Sequence, residues 1–240
     1  MFLDIAHYLA ETRAFPSVAP GLGLQFTDRC SGVTEEARPE TETERAAEAA
    51  CQRHDYRAAI VVVMEAYGTE IYSFLLAQFR GDVGSADDVF SGFTEDLWRG
   101  LPKFQWRCSA RAWCYKLART GVSRFRRAPH NKANRRIPLS EAPFLEELVQ
   151  PARTSTRPHL RTDVKDQFEE LREKLSAEDR DLLILRVDRN LPWRDIAHAM
   201  QSSDVAPDEE QMKKLEAALR QRFASVKDRL KRLAQEAGLL

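Results

Sequence analysis

The chain is short of the side chains from which most catalytic and metal sites are built. Its four cysteines, Cys30, Cys51, Cys108 and Cys114, form no CxxC pair and have no histidine at ligand spacing. That argues against a zinc site and leaves reduced, partly buried thiols. The five histidines, His7, His54, His130, His159 and His198, are scattered. There is no Gly-rich phosphate loop, no HExxH and no nucleophile motif, and paired carboxylates such as Asp87 with Asp88 are explained by helix capping. The reading is a non-enzyme with no cofactor and no metal. No run of about eighteen apolar residues offers a membrane span. The longest is AAIVVVM, Ala58 to Met64. Met1 to Leu9 lacks a basic leader and a small-residue cleavage site, so a cytoplasmic protein without membrane insertion is expected. No alternating strand pattern occurs anywhere, which makes the expected class all-α.

Charge is balanced in total, with 37 basic and 37 acidic residues, but not in place. Residues 1–55 hold five basic and ten acidic side chains, whereas residues 56–127 hold eleven and seven. From Arg107 to Arg136 there are ten Lys or Arg and no Asp or Glu. A stretch so one-sided needs an acidic counterpart.

Four segments follow from composition and periodicity. Residues 1–54 are acidic and rich in Pro, Gly, Thr and Glu, which predicts a largely disordered, flexible N-terminal extension with a fraying helix at Glu42 to Cys51. Residues 55–127 carry helical periodicity. Ile60, Val63, Met64 and Tyr67 continue into Ile71, Phe74 and Leu75, and a second helix bears Val89, Phe93, Leu97 and Leu101 before Pro102 stops it. Ser85 with Asp88 reads as the capping box of that second helix. Residues 128–164 contain Pro129, Pro138, Pro143, Pro151 and Pro158, too closely spaced for regular structure, and read as a linker. Residues 165–240 resume with Phe168, Leu171 and Leu175, a helix capped by Ser176 with Asp179, a break at Asn190, and Pro192 in the first turn of a helix bearing Ile196, Ala199 and Met200. Short helices with tight turns suggest a helix-turn-helix body. Met212, Leu215, Leu219, Phe223, Val226, Leu230 and Leu233 then form one apolar stripe, predicting a long helix from about Asp208 to Glu236.

The basic stretch divides on a helical wheel. Trp113, Cys114, Leu117, Gly121 and Phe125 fall on one side. Arg111, Tyr115, Lys116, Arg119, Ser123, Arg126 and Arg127 fall on the other, with Arg124 alone in the apolar arc. Phosphate neutralisation explains the excess of base, with Tyr115 and Trp106 available to stack on exposed bases of a single strand. An acidic protein partner and a solvated face are the alternatives.

Residues Tyr67 to Arg127 resemble region two of an extracytoplasmic-function sigma factor of bacterial RNA polymerase. The likeness lies in the acidic helix start, an aromatic helix ending in LWRGLPKF, then SARAWCYKLAR and a basic tail. LSAEDRDLLILRVDRNLPWRDIAHAM, with SVKDRLKRLAQEAG, is similar to region four. The resemblance implies two small helical domains joined by the Pro-rich linker. It also implies a factor that directs core polymerase to specific promoters and melts the −10 element. It assigns the −10 contacts to Trp106, Arg107, Ser109, Arg111, Tyr115, Arg119, Arg126 and Arg127. The −35 contacts fall on Arg222, Ser225, Lys227 and Arg229. Contact with the coiled coil of the largest polymerase subunit falls on Asp87, Asp88, Ser91, Glu95 and Trp98, and the flap would bind region four. An anti-sigma factor is a further class of partner that the resemblance allows.

Two departures alter what is expected. Where the family commonly has D..QE, this chain reads Asp88, Val89, Phe90, Ser91, Gly92. Gln201 to Arg222 also intervene before the recognition helix, which is therefore expected to be extended at its N-terminal end, to a length of roughly 43 Å. Such an extension obstructs the end that enters the major groove, unless the chain kinks near Asp204 to Pro207 or Ala217 to Arg220. An autonomous helix-turn-helix regulator and a protein-interaction adaptor are the rival readings.

Overall fold

The computed structural model describes residues 42–127, 144–155, 170–201 and 207–239. Within them the regular structure is helical throughout: α1 (Glu42–Gln52), α2 (Tyr56–Gln78), α3 (Val83–Gly100), α4 (Ala110–Arg127), α5 (Phe144–Ser155), α6 (Ala177–Leu183), α7 (Trp193–Met200) and α8 (Glu209–Glu236). A 3₁₀ turn, Leu101–Lys103, follows α3, and a π-turn, Ile184–Asp188, continues α6. No strand occurs among the described residues, as the missing period-two pattern predicts.

The apolar character of α2 extends around its whole circumference, and its neighbours explain why. It packs against α1, α3, α4 and α5, so Ile60, Val63, Ile71, Phe74 and Leu75 are all buried. By length and composition α2 is apolar enough to cross a membrane, and 50% of its apolar window is buried inside the bundle. Here those side chains are the centre of a helical bundle. Aromatic rings extend the core outward: Phe74 meets Tyr115 edge-on at 5.3 Å, Tyr72 meets Phe90 at 5.2 Å, and Phe79 meets Phe125 at 5.0 Å. Such pairs add to the area they bury.

Both ends of α2 are set by turns in the left-handed region. Asp55 caps its start by accepting from the Ala58 amide at 3.0 Å. Ahead of it, His54 has φ +60°, and the Asp55 amide reaches back to the Ala50 carbonyl at 2.9 Å. This is the closure that ends a helix and reverses the chain. It folds α1 against α2 with Ala47 and Ala50 buried. Residues 42–52 are thus part of the bundle, and the expectation of an extension up to residue 54 is shortened; residues 1–41 lie outside the described residues. At the other end Arg80, with φ +55°, repeats the device, the Gly81 amide bonding the Leu76 carbonyl at 2.9 Å.

The cap of α3 differs from expectation. Asp82 is the N-cap, accepting from the amides of Gly84 and Ser85, and Ser85 Oγ donates to Asp82 at 2.7 Å. Asp is as good a cap as Ser, and Gly81 with φ +80° delivers Asp82 in an extended conformation. The helix therefore starts three residues earlier than Ser85 would dictate.

The linker expectation is also corrected. α5 lies within it and contains Pro151. Leu145, Val149 and Ala152 are buried against α2 and α3, and that packing outweighs the hydrogen bond the proline removes. Pro129, Pro138, Pro143 and Pro158 lie outside the described residues.

Beyond residue 170 most local signals hold. Ser176 caps α6, accepting from the Asp179 amide at 3.1 Å. Asn190 breaks the chain with φ +49°. Pro192 is the N-cap of α7 rather than its first turn. Phe168 lies outside the described residues, while Leu171 and Leu175 are buried with Leu183, Val226, Leu230 and Ala234 in a small core of their own. Leu182, Leu185, Leu191, Ile196 and Ala199 instead join the core formed by α1 to α5. α8 runs unbroken from Glu209 to Glu236 behind an Asp208–Gln211 capping box. No kink interrupts Ala217 to Arg220; residues 204–206 lie outside the described residues. Along its stripe Leu215 is 37% exposed, whereas Met212, Val226 and Leu230 are buried.

Two glycines of α3 make opposite predictions. A methyl group on Gly92 meets nothing within 4 Å, but one on Gly100 would lie 2.7 Å from Trp113 Cζ2. Gly92→Ala should stabilise the fold by about 1 kcal/mol through helix propensity. Gly100→Ala should cost about 1–3 kcal/mol through overpacking. Thermal unfolding of the two variants, with midpoints moving in opposite directions, checks this.

Candidate nucleic-acid interface

The base-rich helix α4 begins at Ser109, whose hydroxyl accepts from the Ala112 amide at 3.0 Å and donates to Asp195 of α7 at 2.7 Å. A carboxylate is thereby held at the positive end of the α4 dipole, a favourable place for it. Before this cap, Trp106 takes φ +53°, a conformation that a bulky residue rarely adopts. Phe104 stacks on Trp113 with ring centres 4.3 Å apart and lies 4.8 Å from Trp106. Arg107 beside them is exposed. It lines a cleft with Arg194, His198, Pro207, Glu209 and Met212.

Along α4 the bases find acids within the chain. Arg111 donates to Glu70 of α2, closest at 2.6 Å, and to the Arg189 carbonyl at 3.0 Å. Burial alone would lower the Arg111 guanidinium; the bonds to Glu70 outweigh it and raise it. Arg119 donates to Asp181 of α6 at 2.6 Å and to the Ala199 carbonyl at 2.9 Å. Gln78 donates to the other Asp181 oxygen at 2.6 Å, and its own carbonyl oxygens accept from Arg126. Arg126–Gln78–Asp181–Arg119 is therefore one continuous network across the junction of α2, α4 and α6. Arg189 closes the seam further along by donating to Ser73 at 3.0 Å.

Tyr115 differs most from expectation. It is fully buried, edge-on to Phe74, and its hydroxyl donates to Glu70 at 2.6 Å. Burial followed by the nearby Glu70 charge pushes its phenol upward. As it stands here, this ring has no face to offer a base. The wheel failed because α2 receives Tyr115 and Arg111 from the polar arc while α3 and α7 also pack on α4, so α4 has no single solvent side. Cys114 is also fully buried and its thiol is raised by burial. Arg127 remains exposed, with its guanidinium on the Ser123 carbonyl at 3.3 Å.

The −35 candidates lie on α8. Arg222 pairs with Asp179 and Glu178 of α6, both at 2.7 Å. Lys227 sits over the Phe223 ring at 5.3 Å. Arg229 donates to the Lys174 carbonyl at 3.2 Å, and Ser225 donates to the Gln221 carbonyl at 3.4 Å. Trp193 of α7 fixes this part of α8, meeting Phe223 at 5.6 Å with Arg186 and Arg220 over its ring.

The polymerase-contact candidates share one side of α3. Asp87 accepts from Tyr72 at 2.8 Å and pairs with Arg153 of α5 at 3.0 Å. Ser91 accepts from Arg153 at 3.0 Å, and Trp98 meets Phe144 of α5 at 5.2 Å. Glu95 is buried with Arg99 at 3.9 Å, and Asp88 is half-buried. Burial and the Asp87 bond push the Tyr72 phenol up to about 12. Sequence reasoning missed Glu70, Gln78, Asp181, Asp195 and Arg153, since each acts across more than forty residues of chain and leaves no local signal. Among the described residues no three His, Cys, Asp or Glu side chains converge on a point where a metal could sit. No protein-family model, curated protein or solved structure matches the chain.

Two predictions follow from the ion pairs. Asp181→Ala strands Arg119 and Gln78 and should cost on the order of 3 kcal/mol. A double-mutant cycle with Arg119→Ala, giving a double variant less destabilised than the sum, checks the coupling. Burial would raise Asp179, but its bonds to Ser176 and Arg222 outweigh that and hold it below the ordinary 3.8. Its contribution is therefore complete above about pH 4 and lost as pH falls through the lower folded value. Asp179→Asn should lower stability at pH 7 and flatten its decline below pH 4, read from denaturant unfolding at each pH.

Proposed function

We propose that the chain is a sigma factor of the extracytoplasmic-function type. It binds core RNA polymerase, directs it to a subset of promoters and captures the melted −10 strand. In this reading residues 55–127 are region two, residues 165–240 are region four with an extended recognition helix, and residues 128–164 join them. The observation that carries it is the head of α4. Phe104, Trp106 and Trp113 cluster beside exposed Arg107 at the start of a helix bearing six bases and no acid. Stacking surface next to positive charge is what a single strand needs.

The acids on Arg111 and Arg119 then act as stand-ins for phosphate in the free factor. Capture of the −10 strand by Arg119 and Ser109 requires α6 and α7 to leave α4, and capture by Arg111 and Tyr115 requires both to leave Glu70 of α2. The −35 contacts of Arg222 and Arg229 likewise require those side chains to exchange partners. The same ion pairs favour a second reading, a protein-interaction adaptor in which the bases of α4 only bind its two halves together.

Run-off transcription with purified core polymerase on fragments of the source genome separates the two. The sigma reading expects discrete transcripts that depend on the chain, and no transcript together with no retention on polymerase would sink it. Arg127→Ala should weaken promoter opening and reduce the slope of log K against log salt by about 0.9 for a duplex contact or 0.7 for a single-stranded one. An unchanged slope removes Arg127 from the interface.

A further inference from the structure

The side of α3 that bears Asp87, Ser91 and Trp98 is covered by α5, and the way it is covered is informative. Phe144 at the start of α5 lies between Trp98 at the end of α3 and Arg57 at the start of α2, with Arg57 4.7 Å above its ring. Near the end of α5, Ala152 faces Gly68, where an added methyl would come within 3.6 Å of it. Arg153 reaches Asp87 and Ser91 near the start of α3. α5 therefore lies in the groove between α2 and α3, parallel to α2 and antiparallel to α3. Leu145, Val149 and Ala152, at i, i+4 and i+7, are its buried stripe, and Arg153 is its anchoring charge.

The occupant is weaker than its seat. α5 has 12 residues with Pro151 inside. Isolated helices of that length are marginal even without a proline, so its helicity depends on docking. The groove, by contrast, is made from α2 and α3, whose cores are shared with α1 and α4. Local opening draws on segments with few buried contacts.

We propose that the α2–α3 groove receives an amphipathic helix from a partner, that α5 is its resident stand-in, and that the partner displaces α5. The chemistry of α5 specifies the incoming helix: small or branched apolar residues at i, i+4 and i+7, an aromatic at the Trp98 end and a cation facing Asp87. Naming that partner as the coiled coil of the largest polymerase subunit rests on the reading above. A site occupied by its own chain binds a partner more weakly, by the fraction of molecules in which it is free.

The test uses the full chain carrying Leu145→Ser and Val149→Ser, a labelled peptide of residues 144–155, and purified core RNA polymerase. The variant should bind the peptide in trans, which the native chain should not. It should bind polymerase about tenfold tighter than the native chain, and the peptide should compete. Failure of the variant to take up the peptide, with the remaining helicity intact, overturns the proposal. So does equal or weaker binding of polymerase by the variant than by the native chain. If the peptide binds in trans but polymerase binds neither form, the groove stands and the sigma reading falls. Should the double variant fail to fold, Arg153→Gln removes the anchor to Asp87 and Ser91 together with the Arg153–Glu146 pair within α5. It should tighten polymerase binding about threefold, and no change there overturns the proposal.

Discussion

Asp181 is the interaction on which the arrangement of this chain turns. A helix with six bases and no acid cannot be packed against a neighbour until its charge is met from elsewhere, because a buried unpaired cation is costly. Asp181 meets Arg119 with one oxygen and Gln78 with the other, and Gln78 passes the contact to Arg126. Glu70 does the same for Arg111 and Tyr115. With those charges paired, the short helices α6 and α7 can bring Leu182, Leu185, Ile196 and Ala199 against the main core. The apolar contact supplies most of the attraction, and the ion pairs fix which surfaces meet and in what register, since misaligned they would leave charges stranded.

α2 sets a second constraint, of a different kind. Being apolar on all sides, it has to be surrounded, and the chain surrounds it with α1, α3, α4 and α5. α5 thus has a place because α2 still has an uncovered flank after α1, α3 and α4 have packed. The same logic explains why a segment with Pro151 is helical at all. Burial of Leu145 and Val149 offsets what the proline costs.

Periodicity and capping rules made the local elements legible. The Ser176 cap, the break at Asn190 and the extent of α8 from Asp208 to Glu236 are local features, and they were readable. Where two local signals competed the reading slipped, as with Asp82 against Ser85, because cap preferences alone do not rank them. The site was less legible, for a physical reason. A helical wheel sorts residues by polarity and presumes one solvent side, yet α2, α3 and α7 all pack on α4. Tyr115 counts as polar on the wheel but buries its ring and satisfies its hydroxyl on Glu70. Arg111 and Arg119 look like free cations until Glu70 and Asp181, 41 and 62 residues away, are known to face them.

The two covers are built differently, and that bears on how they would open. α6 and α7 are held on α4 by ion pairs as well as apolar contact, so a polyanion competes for the same guanidinium groups and salt weakens both contenders. α5 is held mainly by a narrow apolar stripe with one anchoring arginine, which a nucleic acid cannot imitate and another helix can. A ligand shifts an equilibrium only by its differential affinity for the two states. Under the proposed function, DNA would therefore act on the first cover and a helical protein on the second. Because α5 sits on α2 and α3 while α7 sits on α4, the two releases meet only through the body of the bundle. If that body stays rigid their free energies add, and under the proposed function a chain that requires both would respond fully only where a polymerase helix and promoter DNA are present together.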